Sequence, residues 1–542
     1  MWPGKKTVFG GGTASGRIAL TMLAGGLLLL AGCSVGPDYV RPPAPVPPAY
    51  KENVGWKVAQ PRDELPRSKW WEIYNDSPLN ALEEQVDISN QNIAAAEANF
   101  RQALAQIQVA RAAYFPTVTG GPSWLRFKNS ANLAPGTRSA SVGAAPGVSG
   151  SSAGGTGTGA FASQTLSNYL LTLNASWELD IWGLVRRTVE ASKATAQASA
   201  ATLEGARLSA QATLAQSYFQ LRALDEQRRL LDDITAADQK ILDLTKNRYA
   251  QGVASRNDVA LAEETLKNTQ AQAVGLGVQR AQLEHAIATL MGKPASVFSI
   301  PKVPLNLSIP PIPAGLPSEL LERRPDIATA ERNMCAANAQ IGVALAAYYP
   351  TVTLTSSGGF QASSLAKWFL WPSRFWSLGA ATAETIFEGG LRAGQTAAAR
   401  AAYDSTVATY RQTVLNGFQQ VEDNLAALRI LEEEAKVQDE AVKAARLSAI
   451  LSTNMYHAGT ISTLDLMVVL TTARTNEVTA VTILSSRMTA SVQLIMALGG
   501  GWKSSDLPDV GQRPPEARPD NQAIASRPEP ERYAGLSRQE GR

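Results

Sequence analysis

Reactive side chains are few in this chain, and only one of them sits where a reaction would use it. The sequence has two cysteines, Cys33 and Cys335, and two histidines, His285 and His457. Neither histidine has a second ligand at metal spacing, no nucleophile stands beside a base, and no carboxylates are paired for acid–base work. These residues predict no metal site, no catalytic residues and no enzyme. Cys335 lies in an Ala-rich helical stretch and reads as a small packed hydrophobe. Cys33 differs, because it directly follows 15 uncharged residues, 18–32, and precedes a proline-rich segment. A disulfide to Cys335 is open to an exported chain. The small residues Ala31 and Gly32 also leave the bond before Cys33 accessible to a peptidase, with its thiol the nearby nucleophile.

The tetrapeptide Leu30-Ala31-Gly32-Cys33 resembles a bacterial lipobox. The resemblance implies that the signal 1–32 is removed, that the Cys33 thiol receives diacylglycerol, and that the new amino terminus is acylated. Acyl chains contribute ~0.8 kcal/mol per buried methylene, so three of them anchor a protein firmly. Lys5, Lys6 and Arg17 precede an apolar run shorter than the ~20 residues of a membrane span, which fits an export signal. GGGTASGR near residue 10 falls inside that leader and lacks the lysine of a phosphate loop. Ser34, rather than Asp, favours sorting to the outer membrane by the same resemblance. Three of the 50 basic residues lie in the acid-free leader, so the remainder balances 47 basic against 47 acidic residues and gives no reason to expect nucleic acid.

The elements around these residues repeat. Residues 96–119 align without gaps to residues 330–353, with 16 of 24 positions identical, and RYAQGVASRNDV from Arg248 aligns with MYHAGTISTLDL from Met455. The chain divides into a tether 33–67 with eight prolines between Gly36 and Pro66, a first repeat 68–293, a Pro-rich linker 294–317, a second repeat 318–502 and a polar tail 503–542. A Gly/Ser/Ala-rich loop, 129–163, accounts for the extra length of the first repeat. Proline-free stretches dominated by good helix formers predict very long helices; 184–248 as one helix extends ~97 Å. Gly252 and Gly459 interrupt them as hairpin tips, each followed three residues later by a serine suited to an N-cap, Ser255 or Ser462.

Between the helices the period changes to two. Residues 169–180 alternate apolar and polar with one exception, Leu170, and predict a strand with one greasy and one polar face. Weaker strands follow Pro116 and Pro350, and a fourth is expected near 376–384. They make two hairpins, 115–180 and 349–387. Trp124, Trp177, Trp182, Trp368, Trp371 and Trp376 cluster there, as aromatic girdles at membrane interfaces do. A sheet in lipid must close, and known barrels begin at about eight strands, so four strands would need further copies of the chain.

The chain resembles the TolC-like outer membrane efflux factors and their NodT-type lipoprotein branch. LAGCSVGPDYVRP at 30–42, the paired YFPTV and YYPTV, LLERRPDI at 320–327, Y-x-x-G at Tyr249/Gly252 and Tyr456/Gly459, and ALGGGW at 497–502 carry the resemblance. It implies a mainly α fold with a membrane β-barrel: a homotrimer with a twelve-stranded β-barrel and a periplasmic α-helical barrel. It also implies passive export of drugs or other small solutes, with a periplasmic adaptor and an inner-membrane pump of the RND type as partners. No cofactor is implied beyond the lipid on Cys33. A gate is implied just past the second hairpin glycine. Asp465 matches a gate aspartate, Leu464 an apolar constriction, Tyr456 a tyrosine of closure, and Asp258 is the first-repeat equivalent of Asp465. Val468 and Ile461 depart from the pattern, which argues against a second acidic ring and a salt-bridge latch. For both aspartates the simpler reading is an early-helix acid favoured by the helix dipole. Arg323, Arg324 and Asp326 read as helix-start and packing residues. A lipid-anchored coiled-coil spacer or adaptor would explain the helices and Cys33, but not the alternating strands.

Overall fold

The computed structural model describes residues 34–52, 69–128, 165–303, 309–310, 312 and 320–510. The signal 1–32, Cys33, the loop 129–163 and residues 511–542 lie outside the described residues.

The two repeats have matched elements. The first holds α1 (Ser77–Ser89), α2 (Gln91–Ala112), β1 (Thr117–Lys128), β2 (Thr165–Glu178), α3 (Leu184–Ala250) and α4 (Arg256–Leu290). The second holds α5 (Pro325–Ala346), β3 (Thr351–Ala362), β4 (Arg374–Ala383), α6 (Leu391–His457) and α7 (Thr463–Ala497). α3 and α6 both have 67 residues, and α4 and α7 both have 35, so the duplication survives as element length. Contacts divide the chain into two units, each drawing on both repeats.

One unit comprises Met1–Pro47, Ala105–Thr195 and Ala330–Gln419. Its four strands form an antiparallel sheet in the order β1-β2-β3-β4. Helices lead into β1 and β3 and out of β2 and β4, so all four helical junctions lie at one end of the sheet. β2 ends at Glu178, two residues before the expected boundary, because the Asp180 carboxylate turns to accept the N–H groups of Val185 and Arg186 at the start of α3, at 2.9 and 3.0 Å.

The proline-rich segment after Cys33 is docked from its first described residues. The buried Arg187 guanidinium donates to the carbonyls of Val35 and Gly36, and at 2.9 Å to the Asp38 carboxylate. Asn338 donates to the Pro37 carbonyl at 3.0 Å, Tyr39 to Glu331 at 3.2 Å, and Arg41 to the Tyr410 hydroxyl at 3.1 Å. A Cβ on Gly36 would stand 2.5 Å from the Gly342 Cα, so the close approach requires a glycine. The carbonyls of Val35, Gly36 and Pro37 are taken up by Arg187 and Asn338 of the helices, bonds to the body rather than within the segment.

The other unit comprises Pro48–Leu104, Ala196–Thr329 and Gln420–Arg542. Leu214, Phe219 and Leu221 of α3, Val421 and Leu425 of α6, and Leu494 and Ile495 of α7 are buried. α7 is long and apolar enough to cross a membrane, but half of its most apolar window is buried in the protein, as in a core helix. Arg324 donates to the Ala497 carbonyl at 2.9 Å, to Gln420 and to Asp326, which gives the LLERRPDI motif the packing role expected. Asp238 of α3 is buried with Thr269 of α4 and Arg474 of α7 as its partners. Glu83 of α1 is fully buried and neither carboxylate oxygen has a partner among the described residues; burial, with Asp87 one turn on, pushes it well above the usual carboxylate range. Ile300 and Ile312 of the linker are buried, and the start of the polar tail packs as far as Val510.

Candidate functional site: sheet faces and hairpin tips

The register sorts the sheet's side chains onto two faces. Directly paired residues of an antiparallel sheet project to the same side. The pairs Trp124↔Tyr169, Leu171↔Phe360, Trp177↔Leu354, Gly358↔Trp376 and Ser356↔Leu378 therefore define one face, predominantly apolar. Thr119↔Asn174, Thr172↔Gly359, Ser176↔Thr355 and Ser357↔Ser377 define the other, predominantly polar. The apolar face is bare: Trp124 is 60% exposed, Leu173 64%, Trp376 78% and Leu378 74%. Among the described residues β1 and β4 each pair on one side only, which leaves two open edges.

The aromatic positions split by end. Trp177 donates to the Tyr114 carbonyl at 3.1 Å and Trp182 to the Pro350 carbonyl at 2.8 Å, both at the end where the helices join. Trp182 lies beyond β2 in the turn, stacked on Tyr349 at 4.7 Å. Trp124, Trp371 and Trp376 belong to the opposite end. An indole with its N–H on a backbone carbonyl and its ring beside lipid suits a membrane interface.

The helical hairpin tips repeat one geometry. Gly252 and Gly459 adopt φ of 76° and 74°, and the next residues, Val253 and Thr460, donate back to the carbonyls of Arg248 and Met455. This is a Schellman ending, which the left-handed glycine makes possible. Ser255 and Ser462 then cap α4 and α7, and Asp258 and Asp465 close the capping boxes by accepting the N–H of Ser255 and Ser462. Hydrogen bonds from the backbone and hydroxyl of Ser255 hold Asp258 below the usual carboxylate range. Asp465 remains exposed, as does Leu464 at 57%, whereas Asp258 is half-buried.

Tyr456 lies in the interior of the hairpin tip. It is buried, with its hydroxyl 2.8 Å from that of Thr245, and Thr463 reaches it at 3.4 Å. Arg248 donates to its carbonyl at 3.1 Å and lies over its ring at 4.7 Å. Ile241, Leu242, Leu266, Leu466 and Met467 pack around it. Its partner in the duplicated motif, Tyr249, is 49% exposed, so the two Y-x-x-G copies have diverged in burial. Arg248 and Thr245 escaped the sequence reading; the signal for them was that the first-repeat arginine aligns with Met455, a position with no charge. Cys335 is partly buried and burial pushes its thiol up, and among the described residues no three metal-ligating side chains converge.

The model of the outer membrane efflux protein family matches residues 82–293 and 316–500. The toluene efflux pump outer membrane protein TtgC of Pseudomonas putida is 29% identical over 495 residues, covering 89% of this chain and 96% of that protein. The pyoverdine export outer membrane protein OpmQ of Pseudomonas aeruginosa is 30% identical over 485 residues, covering 88% and 96%. The solved outer-membrane channel OprN superposes with a TM-score of 0.78 at 27% identity, covering 87% of this chain and all of that one. With a duplicated helical body, a sheet that bares its apolar face, and a family match across both repeats, this chain belongs to the outer membrane efflux protein family.

Proposed function

We propose that the chain is one third of a trimeric exit duct in the outer membrane, conducting drugs or other small solutes outward without chemistry of its own. The carrying observation is the four-stranded sheet with a bare apolar face and two open edges. Each unpaired backbone group in hydrocarbon costs several kcal/mol, so an open edge does not survive in lipid. Three copies joined β4 to β1 close a barrel of twelve strands, with the Thr/Ser/Asn face lining the lumen. The long helices then form the periplasmic part of the tube.

The hairpin tips are the entrance. Leu464 and Asp465 are exposed in the single chain and face the axis of the trimer, where three carboxylates favour cations and three leucines narrow the opening. A periplasmic adaptor meets these tips and an inner-membrane pump of the RND type supplies the driving force. Cys33 carries diacylglycerol and an N-acyl chain, and the docked segment after it leads from lipid to body.

Planar-bilayer conductance and heat-resistant trimer bands test this reading. The wild type conducts in small steps, and Asp465→Ala lowers cation selectivity. A monomeric, non-conducting protein overturns the duct.

A further inference from the structure

The sheet's two ends differ in charge in a way that a lumen does not require. At the end remote from the helices stand Arg126 and Lys128 of β1, Arg374 of β4, and Lys367 of the β3–β4 connection, all exposed. None makes an ion pair with the described residues. No acid occurs in 117–128, 165–177 or 351–383, and the sequence between β1 and β2 adds one arginine and no acid. The first acids, Glu178 and Glu384, lie at the helical end.

The register also says which way three of these cations project. Lys128 pairs with Thr165, Arg126 with Ser167, and Phe360 with Arg374, all in the set that holds Trp124, Tyr169 and Trp376. Arg126, Lys128 and Arg374 thus belong to the apolar outer face, not to the polar one. The β3–β4 connection folds onto the same face. Its Trp368 ring lies 5.8 Å from Tyr169 and its Phe369 ring 5.7 Å from Phe360. Trp371 stays 75% exposed beside Arg374, which lies over its ring. An aromatic ridge with cations above it, on an outward face, is complementary to anionic headgroups over acyl chains.

We propose that this rim binds the phosphate-bearing headgroups of outer-leaflet lipid. Arg126, Lys128 and Arg374 pair with phosphates, and the ridge of Trp368, Phe369 and Trp371 seats among the upper acyl carbons. The inference rests on the reading that the sheet crosses the outer membrane.

The test reconstitutes the full-length assembled protein in phosphatidylcholine vesicles doped with diphosphoryl lipid A or with its phosphate-free form. Lipid retained on gentle detergent extraction is then weighed by mass spectrometry. The wild type retains the phosphorylated form in about tenfold or greater excess, and R126Q/K128Q/R374Q abolishes the excess. Phe369→Ser lowers retention of both forms alike, because it removes a ring packed on Phe360 and Trp368 and leaves the cations in place. Equal retention of the two forms by the wild type overturns the proposal without any variant having to fold. Displacement of the phosphorylated form by excess inorganic phosphate also overturns it, since the rim is then a simple anion site. Conductance on the same vesicles separates the two readings. A conducting protein without phosphate preference sinks the rim alone, and a non-conducting wild type sinks the duct as well.

Discussion

Tyr456 and Glu83 both place a polar group deep in the helical unit, and they differ in whether that group is satisfied. The Tyr456 hydroxyl meets Thr245 and Thr463, so Tyr456→Phe removes one partner from each, Thr245 keeping its bond to the Ile241 carbonyl, and costs ~1 kcal/mol. Because the ring and its packing persist, the change loosens the tips without unfolding them. The expected readout is faster amide exchange at the ends of α3 and α6 and a higher basal conductance; unchanged values in both would refute it. Glu83 has no partner among the described residues, and its folded pKa stands above its unfolded one. Folded protein therefore binds the proton more tightly. The contribution to stability is intact below the unfolded pKa and is lost as pH rises through the folded pKa. Glu83→Gln, which cannot ionise, gains on the wild type by ~1–3 kcal/mol at alkaline pH and by little in acid. Melting curves at acid and alkaline pH decide this, and parallel pH dependence in the two proteins would contradict it.

At the scale of elements, the two capping boxes make a matched pair of experiments. Ser462→Ala removes the side-chain acceptor for the Asp465 N–H and costs ~1 kcal/mol, fraying the first turn of α7, and Ser255→Ala does the same to α4. Protease nicking at the corresponding tip should rise in each, and protection equal to the wild type would count against the cap. The ingredients of these boxes were legible in the sequence, since serine and aspartate stand three apart after each glycine. Their union was not, because each residue admitted a separate role, one as a cap and one in a gate. β2 was legible for a simpler reason: its two faces meet different surroundings, so its alternation is nearly unbroken. β1 contains Gly120, Gly121 and Pro122, which blur any pattern, and β4 begins two residues before the expected start because a short turn at Trp371–Ser373 runs straight into it. The Arg187 contacts to the amino-terminal segment could not be read. Two of the four Arg187 acceptors are backbone carbonyls about 150 residues away, and carbonyls leave no mark on composition.

For the whole molecule, two neighbouring residues carry opposite expectations. Leu378 lies on the apolar face and Ser377 on the polar one, one position apart on β4. On the proposed trimeric barrel, Leu378→Arg places a charge toward lipid at ~2–4 kcal/mol and depletes the heat-resistant trimer. Ser377→Arg leaves the trimer intact and lowers conductance. Equal effects at the two sites would mean the faces have been assigned wrongly. The docked segment after Cys33 carries a consequence of another kind. Its partners Glu331, Asn338 and Tyr410 lie 292, 301 and 369 residues further along the chain. Contacts so distant in sequence close late, after the local helices and hairpins have formed. The part of the chain made first is thus among the last to settle. Until the second repeat arrives, only the Arg187 bonds to residues 35–38 are available, and the rest of the segment waits for α5 and α6.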